Sequence, residues 1–406
     1  MPFLNFVLKN KTWLAAGGLM SLSSSFGQTF FISIFAGQII ASFNISNGDW
    51  GIFYTIGTTA SAICMIYAGT LADKFKAKDL VIVMLIILSL AAVFMSFLSV
   101  AILLPFVIFF LRLSGQGMLS HLCVVSISRW FSNQRGKALA VSTLGFAFGE
   151  AFLPLIFVGL LSIFSWRSLW ILAAILPLTL IPIFRILLRT ERKPSDITIL
   201  EASSGIRNKH WTRKEVVKSK SFWLYIPIMI FPGMFVTAVF FQQYHLSLYK
   251  GWSHIQFVSL FPLYTSTSVA SMFLLGWASD KFGSKTLLTV YQIPLAISLL
   301  LFSLADNLVS AAFAFLLMGI SQGGSATVFN AFWPEIYGTK NIGSIKALIA
   351  SLGVFGSALG PGISGMLIDY GFNFSGQMYI FGLCTFIGCM LAAFASLTLK
   401  WDHGAV

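Results

Sequence analysis

The chain has 406 residues, of which 57% are hydrophobic and 10% charged, with a net charge of +13. A soluble globular protein carries about 25% charged residues, so this chain cannot cover a water-facing surface, and a soluble enzyme, a disordered scaffold and a secreted disulfide module are all excluded. An excess of 26 Lys and Arg over 13 Asp and Glu would suggest nucleic acid in a soluble protein, but its distribution here follows a membrane topology, and no nucleic-acid partner is expected.

A membrane-crossing helix needs about 20 mostly apolar residues. In chain order the candidates are 13–43, 49–72, 79–99, 101–128, 137–163, 167–188, 221–249, 254–279, 286–305, 308–333, 344–368 and 375–399, numbered here as spans 1 to 12. The first run exceeds a signal peptide's apolar core and is expected to remain as a span. With a cytoplasmic amino terminus, 23 of the 26 basic residues fall on the cytoplasmic side. Arg167 and Lys250 fall opposite, and Arg112 lies within span 4. Basic residues favour the cytoplasmic face, so the expectation is a multi-pass protein of a bacterial cytoplasmic membrane, monomeric, with both termini inside. Residues 189–220, with Pro194, Ser203, Ser204, Gly205 and a basic cluster, read as a cytoplasmic linker between two bundles, 1–188 and 221–406. A basic helix over 209–220 touching anionic headgroups is the lesser alternative to a solvated connector. Cys64, Cys123, Cys384 and Cys389 all sit in apolar runs and read as reduced packing groups.

The two halves repeat. Residues 69–78 (Gly-Thr-Leu-Ala-Asp-Lys-Phe-Lys-Ala-Lys) and 276–285 (Gly-Trp-Ala-Ser-Asp-Lys-Phe-Gly-Ser-Lys) match at five of ten positions, at an offset of 207. Both segments lie between the second and third span of their half. Lys137-Ala138-Leu139, leading to Gly145 and Gly149, is echoed by Lys346-Ala347-Leu348, leading to Gly356 and Gly360. With these duplicated loops the chain resembles the major facilitator superfamily, although Ala77 stands where the first loop usually has its second glycine. The resemblance implies an all-α membrane protein of twelve transmembrane helices in two pseudo-symmetric six-helix bundles, a secondary carrier rather than an enzyme. Arg129-Trp130-Phe131 with Gln134-Arg135-Gly136, and Pro334-Glu335-Ile336-Tyr337-Gly338, are similar to the monocarboxylate and oxalate–formate branch.

In the superfamily the duplicated loop is a latch between bundles, which the resemblance carries onto Gly69, Asp73, Lys74, Lys78, Gly276, Asp280, Lys281 and Lys285. A carboxylate at Asp73 or Asp280 suits the free amides and positive dipole end of a neighbouring helix. The lysines equally well only set topology.

Charges within the bilayer are costly, about 2.5–3.5 kcal/mol on insertion scales. Glu150 is the one acid in mid-span and Arg112 the one base. At about 1.5 Å rise per residue, Arg112 lies about 16 Å from the outer face and Glu150 about 20 Å from the inner one, so an ion pair near mid-membrane is geometrically easy. The pair is either a structural bridge or a working site, with Arg112 docking an anion and Glu150 carrying a proton; the second is preferred. Superfamily members often have an arginine here in an R-x-x-Q-G pattern, one position out of step with Arg112-Leu113-Ser114-Gly115-Gln116-Gly117. Gln116 shares a helical face with Arg112, while His121 points away and reads as a packing residue. Gln28 in span 1, Gln242 and Tyr244 in span 7, and Gln322, Asn330 and Trp333 in span 10 add polar groups on spans that line the cavity in superfamily carriers.

No set of His, Cys or acidic residues has metal-ligand spacing, no cofactor is expected, and no phosphate-binding G-x-x-x-x-G-K-[ST] exists for direct ATP drive. Alternating access coupled to the proton gradient, with uptake of a small organic anion such as a monocarboxylate, is therefore the expected function. Efflux of amphipathic compounds is the alternative. It is weakened because the fifth helix has Gly145-x-x-x-Gly149-Glu150 where drug antiporters have G-x-x-x-G-P.

Overall fold

The computed structural model describes residues 2–131, 134–190, 205–206 and 209–401. It is helical throughout, with no strand among the described residues. Eleven helices are long and apolar enough to cross a membrane, and a bent pair, Lys11–Gly27 and Thr29–Phe43, makes the twelfth, as span 1. The others are Asn47–Lys74, Ala77–Phe97, Ala101–Trp130, Arg135–Leu160, Trp166–Leu187, Lys220–Phe241, His254–Phe282, Ser284–Leu304, Leu308–Tyr337, Ile342–Asp369 and Phe374–Leu397, spans 2 to 12. Several begin at side-chain caps that satisfy free helix-end amides. Ser46 with Asp49 starts span 2, Ser165 span 6, Ser253 with Gln256 span 8, and Asn307 span 10.

The chain forms two compact units, Met1–Ile199 and Leu200–Val406. Each is built from the same three helix pairs. In the first, spans 2 and 4, 1 and 5, and 3 and 6 pack together; in the second, spans 8 and 10, 7 and 11, and 9 and 12. The duplicated glycines produce the matching pairs. A Cβ on Gly145 would meet Gly18 O at 1.9 Å, and one on Gly149 would meet Ser25 Oγ at 2.1 Å. In the second unit a Cβ on Gly356 would meet Ile230 O at 2.4 Å, and one on Gly360 would meet Met234 O at 2.1 Å. Small residues thus let helix backbones touch, the usual source of association where lipid removes the hydrophobic drive.

Both cations expected on the outer side close helix ends. Arg167 Nη1 donates to Ser96 O and Leu98 O at 2.7 Å, at the end of span 3. Lys250 Nζ donates to Ser303 O at 3.0 Å, at the end of span 9. Carbonyls left free at a helix C-terminus favour positive charge.

Two expectations are corrected. Span 7 is not one helix to residue 249: it breaks at Gln242 and continues as Gln243–Tyr249. The connector, whose residues 191–204 and 207–208 lie outside the described ones, is not simply a solvated chain over 209–218. Thr212 and Glu215 form a capping box that starts the helix Arg213–Lys218, and Val216 on that helix is fully buried. Trp211 N donates to Tyr337 O at 3.0 Å, and Asn341 Nδ2 donates to Trp211 O at 3.1 Å. The segment is thereby strapped to the end of span 10 and the start of span 11.

Candidate substrate and coupling site

The break in span 1 organises the first unit. Ser25–Gly27 form a tight 3-10 turn, and Gln28 is extended at φ −87°, ψ 156°, so the two half-helices meet at 49°. Three consecutive serines supply side chains that compete for backbone hydrogen bonds, and a glycine follows. Span 4 passes directly against the break, where a Cβ on Gly27 would lie 2.2 Å from Leu111 O and one on Gly115 would lie 2.6 Å from Gly27 Cα. Here span 4 itself opens into a π-helix over Arg112–Leu119, a widening that is frequent at functional sites.

Arg112 sits at this crossing, 1% exposed. Its Nη1 donates to Gly27 O at 3.2 Å and to Thr29 Oγ1 at 3.4 Å, one group from each half-helix. Thr29 Oγ1 also lies 2.5 Å from Tyr54 OH, and the guanidinium carbon stands 5.5 Å from the Tyr54 ring centre. A freed carbonyl at a broken helix is costly in oil, and the guanidinium satisfies it. Gln116, half-buried, has its backbone N 3.0 Å from the position of a Gly27 Cβ. Gln28, also half-buried, is the break itself, so Arg112, Gln28 and Gln116 belong to one place. Glu150 is 8% exposed on span 5, next to Gly149, which touches Ser25. Arg112 hydrogen-bonds to span 1, at Gly27 O and Thr29 Oγ1. Thr29 and Tyr54 were not among the sequence candidates: Thr29 ends the polar run 23–29 of span 1, whereas Tyr54, in span 2, had no local signal.

His121 Nε2 lies 3.2 Å from Gly69 O, which ties span 4 to the end of span 2. Its placement opposite Arg112 by an α-helical count does not hold across the π-helix, whose turns are wider, but it is a hydrogen-bonded packing residue.

The C-terminal candidates are not gathered together. Gln322 is exposed and lines a cavity of about 310 Å³ with Thr237, Tyr291, Ser325, Phe329 and Ser357 among its walls. Asn330, also exposed, turns its Nδ2 back to Ser325 O and Ala326 O of its own helix, at 3.3 and 3.2 Å. Trp333 is a core residue: it stacks on Tyr337 at 6.1 Å and packs edge-on to Phe332 at 4.8 Å and Tyr225 at 5.9 Å. Gln242 is buried at the kink of span 7, and Tyr244 packs on the His254 ring at 5.5 Å.

The duplicated loops bind within their own units. Asp73 forms an ion pair with Arg129 at the end of span 4, and Arg129 Nη1 also donates to Ala72 O at 2.6 Å. The acid thus meets a guanidinium and not the helix-start amides expected from sequence. In the second loop Ser284 Oγ donates to Glu335 Oε2 at 2.5 Å, so again the loop reaches the end of the fourth helix of its half. Lys281 Nζ stands 5.1 Å over the Trp277 ring. A Cβ on Gly276 would meet the Thr327 side chain at 3.6 Å. Lys74 and Asp280 are exposed, while Lys78 and Lys285 are half-buried.

Twelve apolar helices in two repeated units, with Arg112 buried against a broken helix, are the architecture of a membrane transporter and not of an enzyme. The family model of the Major Facilitator Superfamily matches residues 17–361 and 228–401, and the chain belongs to that superfamily. A Bacillus subtilis relative, NiaP, named as a niacin/nicotinamide transporter, is 28% identical over 356 residues, covering 84% of each chain. Monocarboxylate transporter 13 of Rattus norvegicus is 22% identical over 363 residues, 88% of this chain and 82% of that one. Among solved structures, a bacterial homolog of the human lysosomal transporter Spinster superposes with a TM-score of 0.72 at 16% identity, over 97% of this chain and 98% of that one.

Proposed function

We propose that this transporter is a secondary carrier that takes up a small organic anion, a monocarboxylate, together with a proton by alternating access. The observation that carries the reading is the buried Arg112 guanidinium bridging the two halves of a broken membrane helix. Its bonds to Gly27 O and Thr29 Oγ1, at 3.2 and 3.4 Å, are long and made to neutral acceptors. A carboxylate forms shorter charge-assisted bonds of about 2.7–2.9 Å, roughly twice as strong. Capture of an anion by Arg112 therefore exchanges weak bonds for strong ones, frees the Gly27 carbonyl, and lets the angle of span 1 change. Binding shifts a conformational equilibrium by the difference in affinity for its two states, and here that difference resides in one side chain.

Glu150 is the proton carrier. It is 8% exposed on span 5, and Gly149 beside it touches Ser25 at the break of span 1. The relatives named for niacin and monocarboxylate transport support an acidic substrate. The loop contacts Asp73–Arg129 and Ser284–Glu335 each tie a duplicated loop to the end of the fourth helix of its own half, which supports a shared structural role for the two loops.

In proteoliposomes, carboxylate addition alkalinises the outside medium, and Glu150→Gln abolishes proton-driven accumulation while exchange continues. Intact accumulation in that variant refutes the proton role. Extrusion of a lipophilic dye with no response to any carboxylate refutes anion uptake in favour of efflux.

A further inference from the structure

The short helix Arg213–Lys218 has two opposed faces. Val216 points inward, fully buried, in the same core as Tyr337 and Ile345, while Arg213, Lys214, Val217 and Lys218 are exposed. At 3.6 residues per turn the four exposed positions fall within about 140° of one another, so three cations share one side. Lys220, also exposed, follows where span 7 begins. The acid of this helix is turned aside from that face: Glu215 Oε1 accepts from Lys209 Nζ at 2.6 Å, and Oε2 accepts from Thr212 N at 2.8 Å.

A helix of six residues is marginal by itself in water, and here the strap from Trp211 to Tyr337 and Asn341 holds it. The cations therefore stand in fixed positions at the end of the second unit instead of being spread along a loose chain. Beside them lies an aromatic residue of the kind found where membrane helices meet headgroups. Trp223, in the first turn of span 7, is 58% exposed, and its Nε1 donates to Val217 O at 2.8 Å, which lays the indole against the helix. A basic cluster immediately outside a membrane helix lies in the field of anionic lipids, where each cation contributes about fivefold in affinity. Topology requires positive charge near a span, but not its gathering on one face of a docked helix.

We infer that the exposed face of Arg213, Lys214 and Lys218, with Lys220 and Trp223, docks the phosphate headgroups of anionic phospholipids in the leaflet that span 7 enters. The occupant is a lipid and not a soluble anion, because Trp223 sets the cations at the depth where a bilayer presents its headgroups. This inference stands apart from the proposed substrate.

The test places the full-length protein in phosphatidylcholine bilayers containing brominated phosphatidylglycerol or brominated phosphatidylcholine, whose bromine quenches nearby indoles. The signal of Trp223 is the difference between each protein and its Trp223→Phe counterpart. Brominated phosphatidylglycerol half-quenches Trp223 at a membrane fraction at least about fivefold lower than brominated phosphatidylcholine. Arg213→Gln/Lys214→Gln/Lys218→Gln removes that preference. Lys76→Gln/Lys137→Gln/Lys340→Gln, which removes the same charge from exposed positions elsewhere, retains it. In the unaltered protein the preference fades as salt rises from about 0.1 to 1 M, because the screening length falls from about 10 to about 3 Å. A preference unchanged by the first triple variant or by salt overturns the inference, as does an equal loss in the second triple variant. Trp223 quenched by neither lipid overturns the placement at the headgroups. Loss of the preference on adding inorganic phosphate at constant ionic strength assigns the face to a free anion and overturns the lipid as its occupant.

Discussion

Replacing Gly145 with alanine sets two physical effects of opposite sign against each other. Gly145 lies in the interior of helix Arg135–Leu160, where helix propensity alone favours alanine over glycine by about 1 kcal/mol. The added Cβ, however, would lie 1.9 Å from Gly18 O, a backbone atom, whereas ordinary contact begins at 3.4 Å. Spans 1 and 5 must separate by the difference, about 1.5 Å. A gap of 0.5–1 Å already forfeits roughly a quarter to a half of each dispersion contact, and overpacking of this kind costs about 1–3 kcal/mol. Gly18→Ala is the matched control: it sits in the facing helix, and a Cβ there meets nothing within 4 Å. For a unit of about 200 residues, 1 kcal/mol shifts Tm by roughly 2–4 °C. Net of the propensity gain the cost is roughly 0–2 kcal/mol, so Gly145→Ala lowers Tm by up to roughly 8 °C in a detergent melting curve, while Gly18→Ala raises it slightly. A rise in Tm for Gly145→Ala shows that propensity governs and refutes the close helix contact.

Further outcomes follow from the same contacts. Arg112→Lys keeps the charge but replaces the planar guanidinium, which can meet a carboxylate bidentately, by a compact ammonium, so uptake falls at least tenfold while expression persists; uptake within twofold of wild type argues against recognition of the anion by the guanidinium. Asp73→Asn removes an ion pair whose side chains are 68% and 44% exposed, so stability changes by less than about 1 kcal/mol while the transport rate falls; a large loss of Tm contradicts a conformational role. The Lys209 ammonium and the Thr212 cap hold the Glu215 carboxyl at about 2, down from its ordinary 4.5. A depressed pKa contributes stability that is complete above the unfolded value and is lost as pH falls through the folded one. Trp211 fluorescence is accordingly flat from pH 8 to 5 and changes between roughly pH 4.5 and 2, and Glu215→Gln removes that transition; a change centred near pH 6 excludes Glu215 as its origin.

The spans were legible because a bilayer demands length and apolarity and little else. The pairing of spans 1 with 5 and 7 with 11 was also foreshadowed, since Gly145, Gly149, Gly356 and Gly360 repeat in register. Other features had no local signal. Nothing near Asp73 announces Arg129, because a contact across 56 residues is decided by folding. The break at Gln28 was visible only as a polar, flexible patch, and the Gly115 backbone that passes against it belongs to another helix. Trp333 misled because it follows Asn330 by three residues on the same helix, whereas its ring packs into the core against Tyr225, Phe332 and Tyr337. The strap at 209–218 was hidden by composition: its basic residues suggested solvent, whereas Trp211, Val216 and the Thr212–Glu215 cap determine its docking.

Gly145 brings span 5 against the backbone of span 1 at Gly18, and Gly149 brings it against the short Ser25 side chain, so little is left to act as a bearing between them. The two helices form a single strut. Glu150 follows Gly149 directly in the chain, and the kink at Gln28 lies three residues beyond Ser25, which Gly149 touches. A swing of one half-helix about that kink therefore drags the acid with it, and the hinge and the carboxyl move as parts of one lever.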